Sequence, residues 1–247
     1  MPPEIRFTAF DQFELGGIKF ALATAQTATT AERALIYKDR GFVDSYIETL
    51  VPLGAKRVFE FGIYQGGSAL FIAALLDVEK FVCLDIADRV EAFESMLARH
   101  PIGRKIAAHW NVSQDATDQV REILEREFGD NRPDLIIDDA SHLYDQTKKS
   151  FEIAFPYLAD GGHYIIEDWS WSHWPENQAP SHGWFHLPAM SNLILELVML
   201  LPSSDIIEHI TVRQGYVVIK KKASRFQRHP LNIDGSLRTR GQHLNKI

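Results

Sequence analysis

The fold is decided by residues 134–168, which read DLIIDDASHLYDQTKKSFEIAFPYLADGGHYIIED. This stretch contains two apolar runs of strand type, at 135–137 and 164–166, with one helix-length segment between them. Two strands joined by a helix are expected to be parallel neighbours in a sheet. Each run is followed at once by a pair of acidic residues. Four carboxylates and His142 should therefore meet at the carboxyl edge of the sheet, where open α/β folds bind their ligands.

The alternation of strands and helices continues on both sides of this stretch. We predict strands at 57–62, 81–86, 105–110, 134–138 and 163–167, with helices at 68–76, 90–99, 115–128 and 144–158. After a further helix near 189–201, predicted strands at 206–212 and 216–219 are separated by three residues only. So short a connection makes the last strand antiparallel. The sequence predicts an α/β fold, a Rossmann-like, doubly wound, mostly parallel seven-stranded sheet with an antiparallel last strand.

Two regions stand outside the predicted sheet domain, which spans residues 41–222. Residues 1–40 are poorly periodic, and we interpret them as an N-terminal cap or an arm that supports a homo-oligomer. Residues 223–247 form a basic C-terminal tail, which we interpret as a solvated or subunit-wrapping arm rather than an anion-binding segment. The tail contains one acid, Asp234, and several basic residues, among them Arg225, Arg228, Arg238 and Arg240.

Composition excludes several classes of partner. The 247 residues carry a net charge of -7, which argues against general binding to nucleic acid or to an anionic membrane. No apolar run approaches the roughly 20 residues that span a bilayer, and no signal peptide is evident. The single cysteine, Cys83, cannot form an internal disulfide. We therefore expect a cytoplasmic protein that has neither nucleic acid nor a membrane as a partner.

A glycine-rich turn follows the first predicted strand, where residues 59–68 read FEFGIYQGGS. Such a turn lets a ligand approach the backbone closely, although glycines also end many strands for geometric reasons alone. In the dinucleotide pattern G-x-G-x-x-G, the second glycine makes room for pyrophosphate, but Tyr64 stands at that position. The turn is therefore suited to a nucleoside without phosphates. Asp85 ends the second strand and is placed to accept hydrogen bonds from both ribose hydroxyls.

The turn, Asp85 and the antiparallel last strand together resemble class I S-adenosylmethionine-dependent methyltransferases. The resemblance implies S-adenosylmethionine as cofactor, with its methionine end at the turn, its ribose at Asp85 and its adenine beside Gln114 and Asp115. The cofactor-binding residues predicted in this way are Glu60, Gly62, Gly66, Ser68, Asp85, Gln114, Asp115 and Asp138.

The acidic pairs suit a hard divalent cation. Mg²⁺ prefers oxygen ligands and keeps several waters, so two or three of the carboxylates of Asp139, Glu167 and Asp168 suffice. His142, three residues after Asp139, is placed to take a proton from a substrate hydroxyl. Each residue also has a structural interpretation. His142 would be a buried polar side chain, the second pair a solvated loop start, and Asp138 a helix cap pointing to the opposite face.

These segments resemble the antibiotic sugar O-methyltransferases of the macrocin and mycinamicin type and the related cephalosporin-hydroxylase-type proteins. The resemblance rests on Asp139-Ala-Ser-His142, on Phe151-Glu-x-x-Phe155-Pro156-Tyr-Leu158 and on Gly161-Gly162-x-Tyr-Ile-Ile-Glu167-Asp168. It is good over residues 57–170 and poor before residue 40, where residues 36–40 depart from the family's pattern. It implies that carboxylates at Asp139, Glu167 and Asp168 hold Mg²⁺ and that His142 is the general base.

The implied reaction is methyl transfer to a hydroxyl of a sugar or glycosylated natural product. Two alternatives stay open: a cephalosporin-hydroxylase-like enzyme on the same scaffold, and a non-catalytic protein that keeps the cofactor pocket. On the substrate side, residues 169–188 contain four of the five tryptophans. Aromatic faces of this kind pack against sugar rings, but they also pack lids and subunit interfaces. The histidines of this loop, His173, His182 and His186, show no metal-ligand spacing.

Overall fold

The computed structural model describes residues 4–202, 205–223 and 230–247. The chain divides into two compact units, Met1–Ser113 and Gln114–Ile247. Two of the predicted tail cations, Arg225 and Arg228, lie outside the described residues. The predicted boundaries at residues 40 and 222 stay a prediction.

The first unit contains the glycine turn and the first three strands of the main sheet. Its elements are β1 (Arg6–Ala9), β2 (Gln12–Leu15), β3 (Ile18–Leu22), β4 (Ala34–Ile36), α1 (Arg40–Leu53), β5 (Arg57–Phe61), α2 (Gly67–Leu76), β6 (Lys80–Asp85), α3 (Glu91–Arg99) and β7 (Ile106–Trp110). β5, β6 and β7 pair in parallel. Helix α2 is apolar all round, and nine of its ten residues are buried, so its position within the unit is set by packing on every face.

Residues 6–36 form a separate four-stranded sheet, which the sequence analysis did not predict. β1, β2 and β3 are antiparallel, and β4 pairs with β3 in parallel. The β2–β3 hairpin turns at Gly16 and Gly17, whose φ angles are +58° and +80°. A tight hairpin needs positive φ at both central residues, which glycine adopts without strain. The glycine pair lies between two short runs in which apolar and polar residues alternate. This pattern could have predicted the hairpin.

The second unit contains both acidic pairs. Its elements are α4 (Thr117–Phe128), β8 (Leu135–Asp138), α5 (Tyr144–Ala154), β9 (His163–Glu167), α6 (Ser191–Leu200), β10 (Ile207–Val212), β11 (Tyr216–Lys221) and α7 (Ile233–Ser236). β8 and β9 pair in parallel, with Asp138 opposite Ile166. β11 runs antiparallel to both β9 and β10.

The predicted fold class is confirmed. The main sheet has seven strands, ordered β5-β6-β7 in the first unit and β10-β11-β9-β8 in the second, and β11 is its antiparallel last strand. In the second unit, the strand at the edge of the sheet is β10, because the hairpin folds β11 back onto β9. The predicted helix 144–158 ends earlier, at Ala154, and continues as a 3₁₀ turn over Phe155–Tyr157. Pro156 lacks the N–H that an α-helix needs there.

The described part of the C-terminal tail packs on helices of its own unit. The Asp234 carboxylate lies 2.5 Å from Lys148 Nζ, which also lies 2.9 Å from a carboxylate oxygen of Glu196. Burial alone would lower the pKa of Lys148, but hydrogen bonds with Asp234, Tyr144 and Glu196 outweigh burial and raise that pKa above its ordinary value. Among the described residues, no helix is long and apolar enough to cross a membrane.

Candidate active site

The glycine turn of the first unit is shaped by close packing. Gly62 and Gly66 have φ angles of +95° and +76°. A Cβ atom at Gly66 would lie 2.1 Å from the Phe93 ring, and one at Gly67 would lie 1.8 Å from the Leu35 carbonyl oxygen. Gly66 and Gly67 are therefore required by the fold, whatever the turn binds. Tyr64 also has positive φ, at +49°, and its side chain is exposed.

Asp85 ties this turn to the end of β6. One of its carboxylate oxygens accepts hydrogen bonds from the N–H groups of Ile63 and Tyr64, both at 2.8 Å, and the other accepts from Ala87 at 2.8 Å. A carboxylate offers about four lone-pair positions, so three backbone donors leave about one for a ligand. The prediction that Asp85 binds both ribose hydroxyls therefore needs one of these bonds to be exchanged. Of the other predicted residues on this unit, Glu60 is buried on β5 and Ser68 is half-buried in the first turn of α2.

In the second unit, one carboxylate of each acidic pair meets His142. Asp139, His142 and Asp168 each offer a ligand atom, and these atoms all lie within 4.8 Å of one another. His142 Nε2 lies 3.8 Å from Asp139 Oδ1 and 3.9 Å from Asp168 Oδ2. All three side chains are partly exposed, so water and a substrate can reach them.

Backbone conformation brings these side chains together. His142 and Asp168 have φ angles of +55° and +51°, in the left-handed region that non-glycine residues seldom occupy. Asp168 directly follows the end of β9, and His142 lies four residues after the end of β8. The backbone N–H of Asp168 donates to the carbonyl of Gly215 in the β10–β11 turn at 2.7 Å, which holds that bend.

Glu167, the third predicted ligand, is not a member of this group of the described residues. It is the last residue of β9 and its side chain is buried, whereas Asp168 is partly exposed. Glu167 belongs to the extended strand, whereas Asp168 lies in the left-handed bend that follows it, which separates the two acids of the pair. The structure therefore brings together three of the four residues predicted for the metal and the proton transfer.

Gln114 and Asp138, predicted as cofactor contacts, belong to a buried hydrogen-bond network under this site. Gln114 Nε2 donates to Asp138 Oδ1 at 3.3 Å, and Gln114 Oε1 accepts from the Ser141 N–H at 2.9 Å. The Ser150 and Tyr164 hydroxyls donate to the other Asp138 oxygen. Burial raises the pKa of Asp138 to about 6, although the bonds from Ser150 and Tyr164 oppose the rise. The network fixes the chain just before His142, a role that neither Gln114 nor Asp138 signalled in the sequence.

Asp115, the remaining predicted adenine contact, is exposed in the loop before α4. Its role in cofactor binding, like those of Gln114 and Asp138, stays a prediction.

The aromatic loop after Asp168 is tied both to the β10–β11 turn and to His142. Trp169 Nε1 donates to the Arg213 carbonyl at 2.8 Å, and the Ser170 hydroxyl donates to the Gln214 carbonyl at 2.9 Å. Trp171 is buried, and its Nε1 donates to the His142 carbonyl at 2.7 Å. Its ring lies 4.5 Å from that of Trp184, which is partly exposed.

The donor set of the second unit fits Mg²⁺. Two carboxylates supply the hard oxygen ligands that this ion prefers, and their partial exposure leaves room for the waters that it keeps. The imidazole is a poorer ligand for Mg²⁺ than a carboxylate, which suits His142 to proton transfer.

Comparisons with known proteins show what the chain resembles. Residues 59–169 match the family model described as a methyltransferase domain, and the predicted resemblance is confirmed. The chain is 34% identical over 128 residues to L-olivosyl-oleandolide 3-O-methyltransferase of Streptomyces antibioticus, across 51% of this chain and 31% of that protein. It is 43% identical over 42 residues to mycinamicin VI 2''-O-methyltransferase of Micromonospora griseorubida, across 17% of this chain and 10% of that protein.

Solved structures show the same fold. The MycE methyltransferase from the mycinamycin biosynthetic pathway, in complex with Mg, SAH and mycinamycin VI, matches with a TM-score of 0.58 and 21% identity over 74% of this chain and 50% of that chain. The O-methyltransferase TomG from Streptomyces achromogenes, in complex with SAM, matches with a TM-score of 0.55 and 18% identity over 75% and 81% of the two chains. The aligned part of this chain spans no more than 31% of the length of the two curated relatives.

Proposed function

We propose that this chain is an S-adenosylmethionine-dependent, Mg²⁺-dependent O-methyltransferase that acts on a hydroxyl of a sugar or glycosylated natural product. The observation that carries the proposal is the meeting of Asp139, His142 and Asp168 in a chain whose residues 59–169 match a methyltransferase domain. The two curated relatives are named as O-methyltransferases of L-olivosyl-oleandolide and of mycinamicin VI.

The chain's own residues have distinct roles in this proposal. Asp139 and Asp168 are the ligands for Mg²⁺, and Glu167 is a predicted third ligand that would have to act from its buried position. The bound ion would lower the pKa of a substrate hydroxyl. His142 takes the hydroxyl proton at Nε2, the ring nitrogen that lies 3.8 and 3.9 Å from the two carboxylates. Methyl transfer needs a deprotonated oxygen nucleophile that is held in place, and little acid catalysis.

The acceptor class is proposed from the aromatic loop. Trp174, Trp184 and Phe185 are partly exposed there, and Trp184 packs against Trp171, which is bonded to the residue proposed as base. Flat apolar rings of this kind pack against the apolar faces of sugar rings, and an indole N–H can bond a hydroxyl. The glycine turn of the first unit is proposed to bind the methionine end of S-adenosylmethionine.

The test is product formation by the purified chain with S-adenosylmethionine and a panel of glycosides. We expect an acceptor that gains one methyl group, formation of S-adenosylhomocysteine, loss of turnover with a chelator, and recovery when Mg²⁺ is added back. Full turnover in the chelator would contradict the metal requirement. Methylation of hydroxylated compounds without any sugar, and of no glycoside, would contradict the acceptor class.

The same experiment separates the two alternatives. A cephalosporin-hydroxylase-like enzyme would add an oxygen atom to its substrate instead of a methyl group. A non-catalytic protein would bind S-adenosylmethionine without forming product from any acceptor. A cytoplasmic location and a homo-oligomer stay predictions, and sedimentation of the purified chain would test the second.

A further inference from the structure

We propose that Trp171 is a positioning residue for His142. In this proposal, the hydrogen bond from its indole N–H to the His142 carbonyl holds the imidazole beside the two carboxylates. The inference rests on the proposed function, since it assigns His142 the role of base. It adds a residue that the sequence analysis considered only as part of an aromatic surface.

The backbone of His142 has an unusual conformation. With φ at +55°, this residue occupies a region that costs free energy for a residue with a side chain and that persists only where the surroundings impose it. The N–H of the residue before, Ser141, is held by Gln114, and the N–H of the residue after, Leu143, is held by the Ser141 hydroxyl at 3.2 Å. The bond from Trp171, at 2.7 Å, is made to His142 itself.

Trp171 is itself held firmly. Its side chain is 4% exposed, and its backbone carbonyl accepts from Asn177 Nδ2 at 2.7 Å. The residues before it are bonded to the β10–β11 turn through Asp168, Trp169 and Ser170. A donor that is fixed in this way can hold its acceptor in position. A donor on a mobile loop would instead move with its acceptor.

The bond also connects the two segments that carry the carboxylates. Asp168 lies three residues before Trp171, and His142 lies three residues after Asp139. The Trp171–His142 bond therefore ties the segment that carries one carboxylate to the segment that carries the other. Loss of the bond should loosen the 3.9 Å approach of His142 Nε2 to Asp168 Oδ2. Partners that orient groups at a metal site typically change metal affinity or activity by about 10- to 100-fold when they are removed.

The experiment compares Trp171→Phe with Trp110→Phe. Both remove an indole N–H that donates a hydrogen bond, but Trp110 bonds Glu94 in the first unit, at 2.8 Å, and not His142. We expect Trp171→Phe to shift the ¹⁵N imidazole signal of His142 and to weaken Mn²⁺ binding, measured by electron paramagnetic resonance, about tenfold. We also expect kcat to fall about tenfold while the KM for S-adenosylmethionine stays within about twofold. Trp110→Phe should leave the His142 signal and Mn²⁺ affinity unchanged.

A Trp171→Phe protein whose His142 signal and Mn²⁺ affinity match those of the unsubstituted chain would overturn the inference. So would equal effects of the two substitutions. Circular dichroism would show whether Trp171→Phe folds. If it does not, the exchange rate of the Trp171 indole proton in the unsubstituted protein tests the bond instead. A Trp171 indole proton that exchanges as fast as that of a free indole contradicts the bond. A chain that shows the expected imidazole and Mn²⁺ changes but never methylates an acceptor retains the positioning role and loses the proposed function.

Discussion

At the scale of single residues, His142 is the side chain on which the proposed chemistry depends. Its Nε2 lies at nearly equal distances from two carboxylates, a geometry compatible both with a base and with a metal ligand. Mg²⁺ prefers oxygen ligands, which favours the base. The two roles differ in what should survive when the imidazole is removed.

We expect His142→Ala to lower the rate of methyl transfer about 10²- to 10⁴-fold, the usual contribution of a positioned acid or base. Mn²⁺ affinity and S-adenosylmethionine affinity, measured by titration calorimetry, should stay unchanged because the carboxylates remain. His209→Ala is the matched control, since His209 is exposed on β10. Loss of Mn²⁺ binding in His142→Ala would instead make His142 a ligand.

At the scale of elements, the C-terminal end of α5 and the 3₁₀ turn after it depend on a buried lysine from β11. Lys221 is 7% exposed, and its ammonium donates to the carbonyls of Phe155, Pro156 and Leu158 at 3.3, 3.2 and 2.7 Å. Carbonyls at a helix end lack partners within the helix, and a cation there also favours the helix dipole. The basic residue thus closes an element that lies far from it in the sequence.

We expect Lys221→Met to lower the free energy of unfolding by about 1–3 kcal/mol, because buried carbonyls lose their donor. For a chain of this length that corresponds to a fall in Tm of about 2–4 °C per kcal/mol. Lys222→Met is the matched control: Lys222 is exposed and only approaches exposed Asp205, at 3.8 Å. An exposed ion pair contributes about 0–1 kcal/mol, so its Tm should hardly move. Equal falls in the two variants would show that Lys221 is not a cap.

At the scale of the whole molecule, metal binding and stability are linked. An ion that binds the folded chain and not the unfolded chain stabilises the fold by an amount that grows with the logarithm of its concentration. The carboxylates of Asp139 and Asp168 should also repel each other when no cation lies between them.

We expect Mg²⁺ at about 100 times its dissociation constant to stabilise the chain by about 2.7 kcal/mol, seen as a rise in Tm. Asp139→Asn should remove the dependence of Tm on Mg²⁺ because it removes one ligand charge. Asp145→Asn should keep the dependence, since exposed Asp145 lies in the first turn of α5 and outside the group. A Tm of the unsubstituted chain that is indifferent to Mg²⁺ would contradict a metal site at these residues.

Much of this molecule could be predicted from local patterns. The apolar runs, their spacing and the three-residue connection at 213–215 determined the α/β class and the antiparallel last strand, because strand period and loop length are local properties. The N-terminal sheet was missed because its strands are three to five residues long, too short for their period to stand out. The pair Gly16-Gly17, which indicates a hairpin, was not used in the prediction.

The sequence by itself determined which residues could form the site, since Asp139, His142 and Asp168 follow strand ends that must lie side by side. Only the tertiary structure decided which of them meet. Glu167 ends β9 and is buried, whereas Asp168 lies just past the strand and is partly exposed, and left-handed bends at His142 and Asp168 bring those side chains together. Hydrogen bonds between distant residues lie at both bends, from the Asp168 N–H to the Gly215 carbonyl and from the Trp171 indole N–H to the His142 carbonyl. The local sequence around a residue does not indicate such partners, because only the fold brings the residue and its partner into contact.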